Sequence, residues 1–152
     1  MRINDRGPPI ELDPERLDGL ALALDVESVV AAFVFGSVAT GRATPLSDVD
    51  VGVWLDPALS PRQRLDAQLR LMAEATSVLG TDEVEVVILN DAAPLLQHRA
   101  MRARLSLVDR QPKARVRLEA GAQLRYLDTK PLRQAIARGV EERLREGRFG
   151  RS

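Results

Sequence analysis

A run of seven consecutive apolar residues, Val29–Phe35, constrains the fold more than any other feature of the sequence. The run contains β-branched and aromatic residues and stops at Gly36-Ser37. A strand with apolar side chains on both faces has to be covered on both faces, which is typical of the sheet in an α/β domain. We therefore expect a buried strand over 29–35.

Further helices and strands alternate along the chain. Asp13-Pro14 and Ser60-Pro61 each combine an N-cap residue with proline at the first helical position, and Gly80 is expected to end the second helix. The predicted elements are a helix over 13–25, strands over 29–35, 48–55 and 84–89, and helices over 61–80, 92–103, 116–126 and from 131 onward. This order predicts one α/β domain over 1–152 with a small mixed sheet flanked by helices. The catalytic core would cover about 13–110 and the C-terminal helices about 111–147.

The sequence also predicts where two of the helices begin and which helices carry apolar stripes. Asn90 and Asp91 are expected to cap the helix over 92–103, and Pro131 is expected to open the last helix. One apolar stripe is predicted in the second helix, at Leu65, Leu69, Met72, Thr76 and Leu79, and another in the last, at Leu132, Ile136, Val140 and Leu144. The last stripe is interpreted as core or self-association surface, with docking onto a partner helix as an alternative.

The composition argues against several classes of function. Acidic and basic residues number 22 each, so no net charge attracts the chain to nucleic acid, and aromatic residues are too few for base stacking. The absence of cysteine excludes disulfides, thiolate nucleophiles and cysteine-ligated zinc. No apolar stretch is long enough for a membrane span. We expect a cytoplasmic protein with no membrane association and no nucleic-acid partner.

The Arg-rich stretch Arg99–Arg117 is interpreted as a solvated face, with nucleic acid, an acidic partner or the triphosphate as alternative contacts. Trp54 is expected in the core, and Tyr126 is expected to bury its ring between helices. His98, the only histidine, is expected to be a partly exposed helix residue without a catalytic role.

Two carboxylates open the second predicted strand. Asp48 and Asp50 are two residues apart, so they project to the same face of the strand, about 7 Å apart at roughly 3.4 Å per residue. Like charges held this close are favourable chiefly when a cation lies between them, and hard oxygen ligands select Mg²⁺ or Mn²⁺. We expect a pair of metal ions at this position.

Gly36-Ser37 and Glu85 are predicted to complete the site. A glycine at a strand end lets a phosphate approach the backbone, and the Ser37 hydroxyl can hydrogen-bond its oxygens. Glu85 is the only carboxylate in the apolar run Val84–Leu89 and would join Asp48 and Asp50 if the two strands are neighbours. A solvent-facing charge on an edge strand is the alternative, and Asp82 or Glu83 could compete for the role. Three carboxylates around two metal ions suit phosphoryl or nucleotidyl transfer.

The segments Phe35-Gly-Ser-Val-Ala-Thr-Gly-Arg and Pro45-Leu-Ser-Asp-Val-Asp-Val-Gly-Val together resemble the signature of the DNA polymerase beta-like nucleotidyltransferases. The form is similar to that seen in the minimal nucleotidyltransferases (MNT). Arg125-Tyr-Leu-Asp-Thr-Lys-Pro resembles a tyrosine-containing segment common in the MNT antitoxins of HEPN–MNT toxin–antitoxin pairs. The resemblance implies the polymerase beta-like fold, metal binding by Asp48 and Asp50, and triphosphate binding by Gly36 and Ser37. The third carboxylate falls on Glu85, where the family more commonly has aspartate.

For function, the resemblance implies transfer of AMP from MgATP to a hydroxyl, expected to be a tyrosine, of a cognate HEPN ribonuclease toxin, which is thereby neutralised. One alternative is an antitoxin with weak or no catalysis that neutralises its partner by complex formation. Another is a nucleotidyltransferase acting on a small molecule such as an aminoglycoside, although few residues remain after Leu89 to hold one. The oligomeric state stays open between homo- and hetero-oligomers.

Overall fold

The computed structural model describes residues 10–44 and 47–147. Pro45 and Leu46 of the motif noted above lie outside the described residues. The elements, in chain order, are α1 (Pro14–Leu24), β1 (Val29–Phe35), β2 (Val49–Leu55), α2 (Pro61–Leu79), β3 (Val84–Ile88), a 3₁₀ turn (Leu89–Asp91), α3 (Pro94–Arg102), β4 (Arg104–Asp109) and α4 (Pro112–Arg145). Among the described residues, no helix has the length and apolar character that a membrane span requires.

The four strands form one mixed sheet in the order β3-β2-β1-β4. β1 lies in the interior of the sheet and pairs antiparallel with both β2 and β4, whereas β2 and β3 run parallel. All seven residues of β1 are buried, as the apolar run predicts. The predicted α/β class and small mixed sheet are confirmed.

Helices cover both faces of the sheet. On one face, Leu20 and Leu24 of α1 and Leu71 of α2 pack against alternate residues of β1 and β2 such as Val34 and Val51. On the other face, Ala100 of α3 and Ala122 of α4 pack against Phe33, Phe35 and Trp54. Trp54 lies in the core as expected, with 1% of its surface exposed.

The first two helices begin where the sequence predicts. The Asp13 carboxylate accepts a hydrogen bond from the Arg16 amide, and Ser60 with Gln63 forms a reciprocal capping box. Gly80 ends α2 in the left-handed conformation at φ 66°.

The predicted apolar stripe of α2 is wrong for its first two members, because Leu65 and Leu69 are exposed. The buried row is Leu71, Ala75 and Leu79. A close approach of the two helices explains the choice: a Cβ added at Gly19 of α1 would lie 3.0 Å from Val78 Cγ1 of α2. A small residue such as Ala75 in the contacting row allows the same approach.

The expected capping by Asn90 and Asp91 is also wrong. Ala93 occupies the N-cap position of α3 and forms no side-chain capping bond. Asn90 instead accepts a hydrogen bond from the Leu55 amide and donates one to the Leu55 carbonyl, at 2.8 and 2.9 Å. Asp91 pairs with Arg64 of α2 at 2.9 Å. Both side chains thus tie the end of β3 to neighbouring elements instead of satisfying the amides of α3.

The C-terminal region differs most from the prediction. Residues 104–109 form the edge strand β4, which the Arg-rich pattern did not reveal. Residues 112–145 form a single 34-residue helix, so Pro131 lies inside α4 and does not open a new helix. Pro131 is exposed, so its ring faces solvent and no packed neighbour opposes the local distortion that proline introduces.

Candidate active site

Asp48, Asp50 and Glu85 lie at one end of the sheet, and we call these three residues the carboxylate edge. The register pairs Asp50 of β2 with Glu85 of β3 and with Phe35 of β1. Directly paired residues project to the same face, so the Asp50 and Glu85 carboxylates are side by side. Asp48 immediately precedes β2 and is exposed, as is Glu85, whereas Asp50 is half-buried.

The carboxylate edge faces α3 and α4. Val49, Val51 and Val53 point into the core beneath α1 and α2, so strand alternation places Asp50 on the opposite face, with Trp54. Both carboxylates of the Asp-x-Asp pair are thus excluded from the main aliphatic core. The alternation of valine and aspartate at the start of β2 therefore places both carboxylates on the same face of the sheet.

Gly36 follows β1 directly and lies against Asp50. Its φ is +80°, a left-handed conformation that favours glycine, and a Cβ at this position would lie 2.6 Å from Asp50 Oδ2. The absence of a side chain therefore has two consequences: the chain can turn here, and the Asp50 carboxylate can lie against the backbone.

Residues 36–42 form a compact turn without a regular helix. The Gly36 carbonyl accepts a hydrogen bond from the Thr40 amide at 3.3 Å, and the Ser37 carbonyl accepts one from the Arg42 amide at 2.9 Å. The Thr40 hydroxyl also lies 3.2 Å from the Ser37 carbonyl. These bonds hold Ser37 directly beside the carboxylate edge.

The electrostatics of the edge favour a bound cation. Burial, followed by the nearby Glu85 and Asp48 carboxylates, raises the pKa of Asp50 from 3.8 to about 6. All three causes act in the same direction, and no cation of the described chain opposes them. A divalent cation that prefers oxygen ligands would stabilise the ionised form of a carboxylate that is partly buried beside two others.

The donor set fits Mg²⁺ or Mn²⁺, since all three side chains supply carboxylate oxygens. Within residues 10–44 and 47–147, however, the side chains do not form a closed cluster of three metal-ligating groups. The register brings the three residues to one end of the sheet, and their side chains would have to rotate to close the cluster around an ion.

Glu85 is better placed than its two competitors. Asp82 and Glu83 precede β3, and the Glu83 carbonyl accepts a hydrogen bond from the Val49 amide at 2.9 Å. The pKa of Asp50 responds to Glu85 and Asp48, and Glu83 is not among its causes. The direct pairing of Glu85 with Asp50 is what distinguishes it.

Arg104 lies in the same row across the sheet, because it pairs with Phe35. Its guanidinium is bound elsewhere and does not pair with the carboxylate edge. It packs 4.7 Å from the centre of the Phe33 ring and binds both Glu119 oxygens, at 2.7 and 3.1 Å. Arg115 pairs with Asp109 and Glu119, and Arg110 pairs with Asp25. Arg104 and Arg115 thus tie β4 to α4, and Arg110 ties the end of β4 to the end of α1.

The Tyr126 ring lies between two other side chains. Its face stacks on His98 of α3 with centroids 3.7 Å apart and planes 5° apart, and Arg133 covers the other face at 3.8 Å. The ring is thus held between α3 and α4, as expected, and His98 is a partly exposed helix residue.

Two concave regions border the sheet at opposite ends. One, of about 230 Å³, is lined by Glu85, Gln68 and Leu96 and adjoins the carboxylate edge. The other, of about 510 Å³, is lined by Ser28, Asp56 and Arg70 at the far end of β1 and β2. Only the smaller one is close to the residues that the sequence singles out.

The model of the polymerase beta nucleotidyltransferase family matches residues 21–113, more than half of the chain, and the match includes the carboxylate edge and Gly36-Ser37. No curated protein matches the sequence.

Several solved structures share the fold. One is a toxin–antitoxin crystal structure with AMP-PNP (TM-score 0.63, 22% identity, 85% of this chain and 99% of that chain covered). Another is the tri-AMPylated HEPN toxin of Shewanella oneidensis in complex with its MNT antitoxin (TM-score 0.61, 20% identity, 82% and 96% covered). A third is an MntA–HpeT toxin–antitoxin structure in which two aspartates, two positions apart, are replaced by glutamate (TM-score 0.62, 21% identity, 80% and 93% covered). At these identities the likeness concerns the fold.

Proposed function

Because the chain belongs to the polymerase beta nucleotidyltransferase family, we propose that it is a metal-dependent protein adenylyltransferase of the antitoxin type. It would transfer AMP from MgATP to a hydroxyl, expected to be a tyrosine, of a cognate HEPN ribonuclease toxin and thereby neutralise it. The observation that carries the proposal is the row formed by Gly36, Asp50 and Glu85 at one end of the sheet.

The residues have separate roles in this proposal. Asp48, Asp50 and Glu85 hold two Mg²⁺ ions, for which Mn²⁺ can substitute, and Gly36 with Ser37 holds the triphosphate. When bound, the ions stabilise the charge that develops on the α-phosphate and on the leaving pyrophosphate. The acceptor oxygen forms the new bond to the α-phosphorus, the bond to the bridging α–β oxygen breaks, and the hydroxyl proton passes to a carboxylate of the edge.

The absence of a side chain at Gly36 leaves room for the Asp50 carboxylate. The Asp50 carboxylate lies in the space that a Cβ would fill, so backbone and carboxylate meet closely enough for a phosphate and its metal ion to contact both. The half-buried position of Asp50 limits access of water, which strengthens its attraction for a cation.

The partner is inferred from the structural neighbours and from the resemblance in the sequence. The neighbours include a toxin–antitoxin with AMP-PNP and an AMPylated HEPN toxin in complex with an MNT antitoxin. They support a nucleotide substrate and a protein acceptor for this chain. A purely binding antitoxin is the main rival, because Glu85 stands where the family more commonly has aspartate.

The test is the intact mass of the protein encoded by the neighbouring reading frame, the proposed HEPN partner, after incubation with this chain, ATP and Mg²⁺. Each transferred AMP adds roughly 329 Da, and the gain should disappear with Asp48→Ala/Asp50→Ala. Asp82→Ala is the matched control: it removes an exposed carboxylate just before β3, and transfer should continue.

The other outcomes point elsewhere. A tight complex without a mass gain would favour the binding antitoxin. If the two proteins form no complex and no mass gain is seen, the proposed partner is refuted. Small-molecule hydroxyls such as those of aminoglycosides would then be tested as acceptors.

A further inference from the structure

The outer part of α4 carries an apolar stripe that no described residue covers. Its four members, Leu132, Ile136, Val140 and Leu144, have 63%, 58%, 36% and 60% of their surfaces exposed. We call this set the outer stripe. Contiguous exposed apolar surface of this kind is typical of interaction sites.

The outer stripe continues the face by which α4 packs on the domain. That face is formed by Ala114, Leu118, Ala122 and Tyr126, again four residues apart, of which Ala122 is fully buried. Each member of the outer stripe follows its counterpart by 18 residues (132 − 114), about five full turns at roughly 3.6 residues per turn. The helix thus presents the same face twice, first to its own sheet and then to solvent.

The charges beside the outer stripe are cationic. On a helical wheel at about 100° per residue, the charged residues of 125–145 that share the half of α4 centred on the stripe are Arg125, Arg133 and Arg143. The carboxylates of Asp128, Glu141 and Glu142 fall on the other half. This distribution complements a surface on which apolar residues are flanked by acidic ones.

α4 leaves the sheet at the end that carries the carboxylate edge. Arg115 near its start pairs with Asp109 at the far end of β4, and Glu119 one turn later binds Arg104 at the near end. Arg104 pairs with Phe35, which pairs with Asp50. Leu132 is 13 residues beyond Glu119, about 20 Å along the helix. A small domain about 30 Å across, docked there, can reach back to the carboxylate edge.

From these observations we propose that the outer stripe docks an acidic amphipathic helix of the acceptor protein and so delivers its hydroxyl to the carboxylate edge. The identity of the acceptor rests on the function proposed above. Apolar contacts would supply most of the affinity. Arg125 and Arg143 would select the acidic partner, because the Arg133 guanidinium already packs on Tyr126.

The experiment compares two double variants for binding to the proposed HEPN partner, the protein encoded by the neighbouring reading frame, by titration calorimetry without nucleotide or Mg²⁺. Ile136→Ser/Leu144→Ser disrupts the outer stripe. Leu124→Ser/Leu127→Ser removes two leucines of similar exposure, 64% and 56%, from the opposite side of α4. The first should raise Kd about 10-fold or more and the second less than about 2-fold. Added salt should weaken wild-type binding.

Four results would overturn the docking surface: no complex with the wild-type chain, unchanged affinity of the stripe variant, equal losses in both variants, or a wild-type homodimer that the stripe variant makes monomeric. Circular dichroism melting checks that both variants fold. Binding without transfer would refute the proposed chemistry and leave the docking surface standing. Transfer with unchanged binding of the stripe variant would refute the docking surface alone.

Discussion

Asp50 lies where two strands force it toward other carboxylates. Pairing of β2 with β3 sets Glu85 beside it, and pairing with β1 brings the Gly36 backbone against its side chain. Burial and the two neighbouring charges raise its pKa to about 6. The ionised Asp50 carboxylate therefore destabilises the metal-free protein, and a bound metal ion would offset this cost.

Asp50→Asn should stabilise the metal-free protein at neutral pH. The folded-state pKa lies above the unfolded value of 3.8, so the contribution of Asp50 to stability is present below about pH 4 and lost as pH rises through about 6. After allowance for its partial exposure, we expect the variant to gain about 1 kcal/mol at pH 8 and nothing at pH 4. Urea unfolding in EDTA at both pH values measures this gain. A difference that is independent of pH, or that grows in acid, would contradict it.

Gly36→Ala and Gly41→Ala form a matched pair at positive φ. Both should lose about 1 kcal/mol or more of folding free energy, because φ is +80° and +72° respectively. Only the Gly36 methyl would meet Asp50, whereas a methyl at Gly41 has no neighbour within 4 Å among the described residues. Transfer should therefore fall on the order of 100-fold in Gly36→Ala alone. Equal activities of the two variants would show that the contact with Asp50 has no role.

α4 combines two functions that the sequence assigns to separate helices. Its first half packs on the sheet through Leu118 and Ala122, and its second half carries the outer stripe. Pro131 lies between the two halves and lacks the amide that would bond the Leu127 carbonyl. The Arg133 guanidinium, which donates to the Tyr126 carbonyl and to the Thr129 hydroxyl, supports the helix next to this gap.

Pro131→Ala should increase the hydrogen-exchange protection of amides around 131–135. Proline is about 3 kcal/mol less favourable than alanine inside a helix. Global unfolding should change by less than this amount, because Ala122 is the only buried residue of α4 and the helix beyond it can open without the core. Pro112→Ala is the control: at the first helical position proline removes no intrahelical bond, so protection should not rise. Equal protection in both variants would mean that Pro131 does not weaken the helix.

Most of the molecule that positions the site could be predicted because its signals are local. The apolar run of β1, the Asp-x-Asp strand and the Pro-based helix starts each follow from a few adjacent residues. β4 escaped prediction because only Val108 of its six residues is buried, so apolar alternation is weak. Asn90 was misassigned because its partner, Leu55, is 35 residues away.

The pairing of Asp50 with Glu85 also depends on contacts between distant residues. Spacing along β3 shows that Glu85 is the one carboxylate in its strand, but only the register sets it opposite Asp50. Pro131 shows the reverse case, in which a strong local signal for a helix start is overridden by a long helix that continues past it.

A crystal structure of the chain with Mn²⁺ and a non-hydrolysable ATP analogue, read by anomalous scattering, tests most directly whether the carboxylate edge is a metal-dependent nucleotide site. We expect manganese peaks within about 2.2 Å of the Asp48 and Asp50 oxygens, with Glu85 turned toward them and the triphosphate at Gly36-Ser37. Nucleotide bound elsewhere, or manganese absent from these carboxylates while the triphosphate is ordered, would contradict the proposed site.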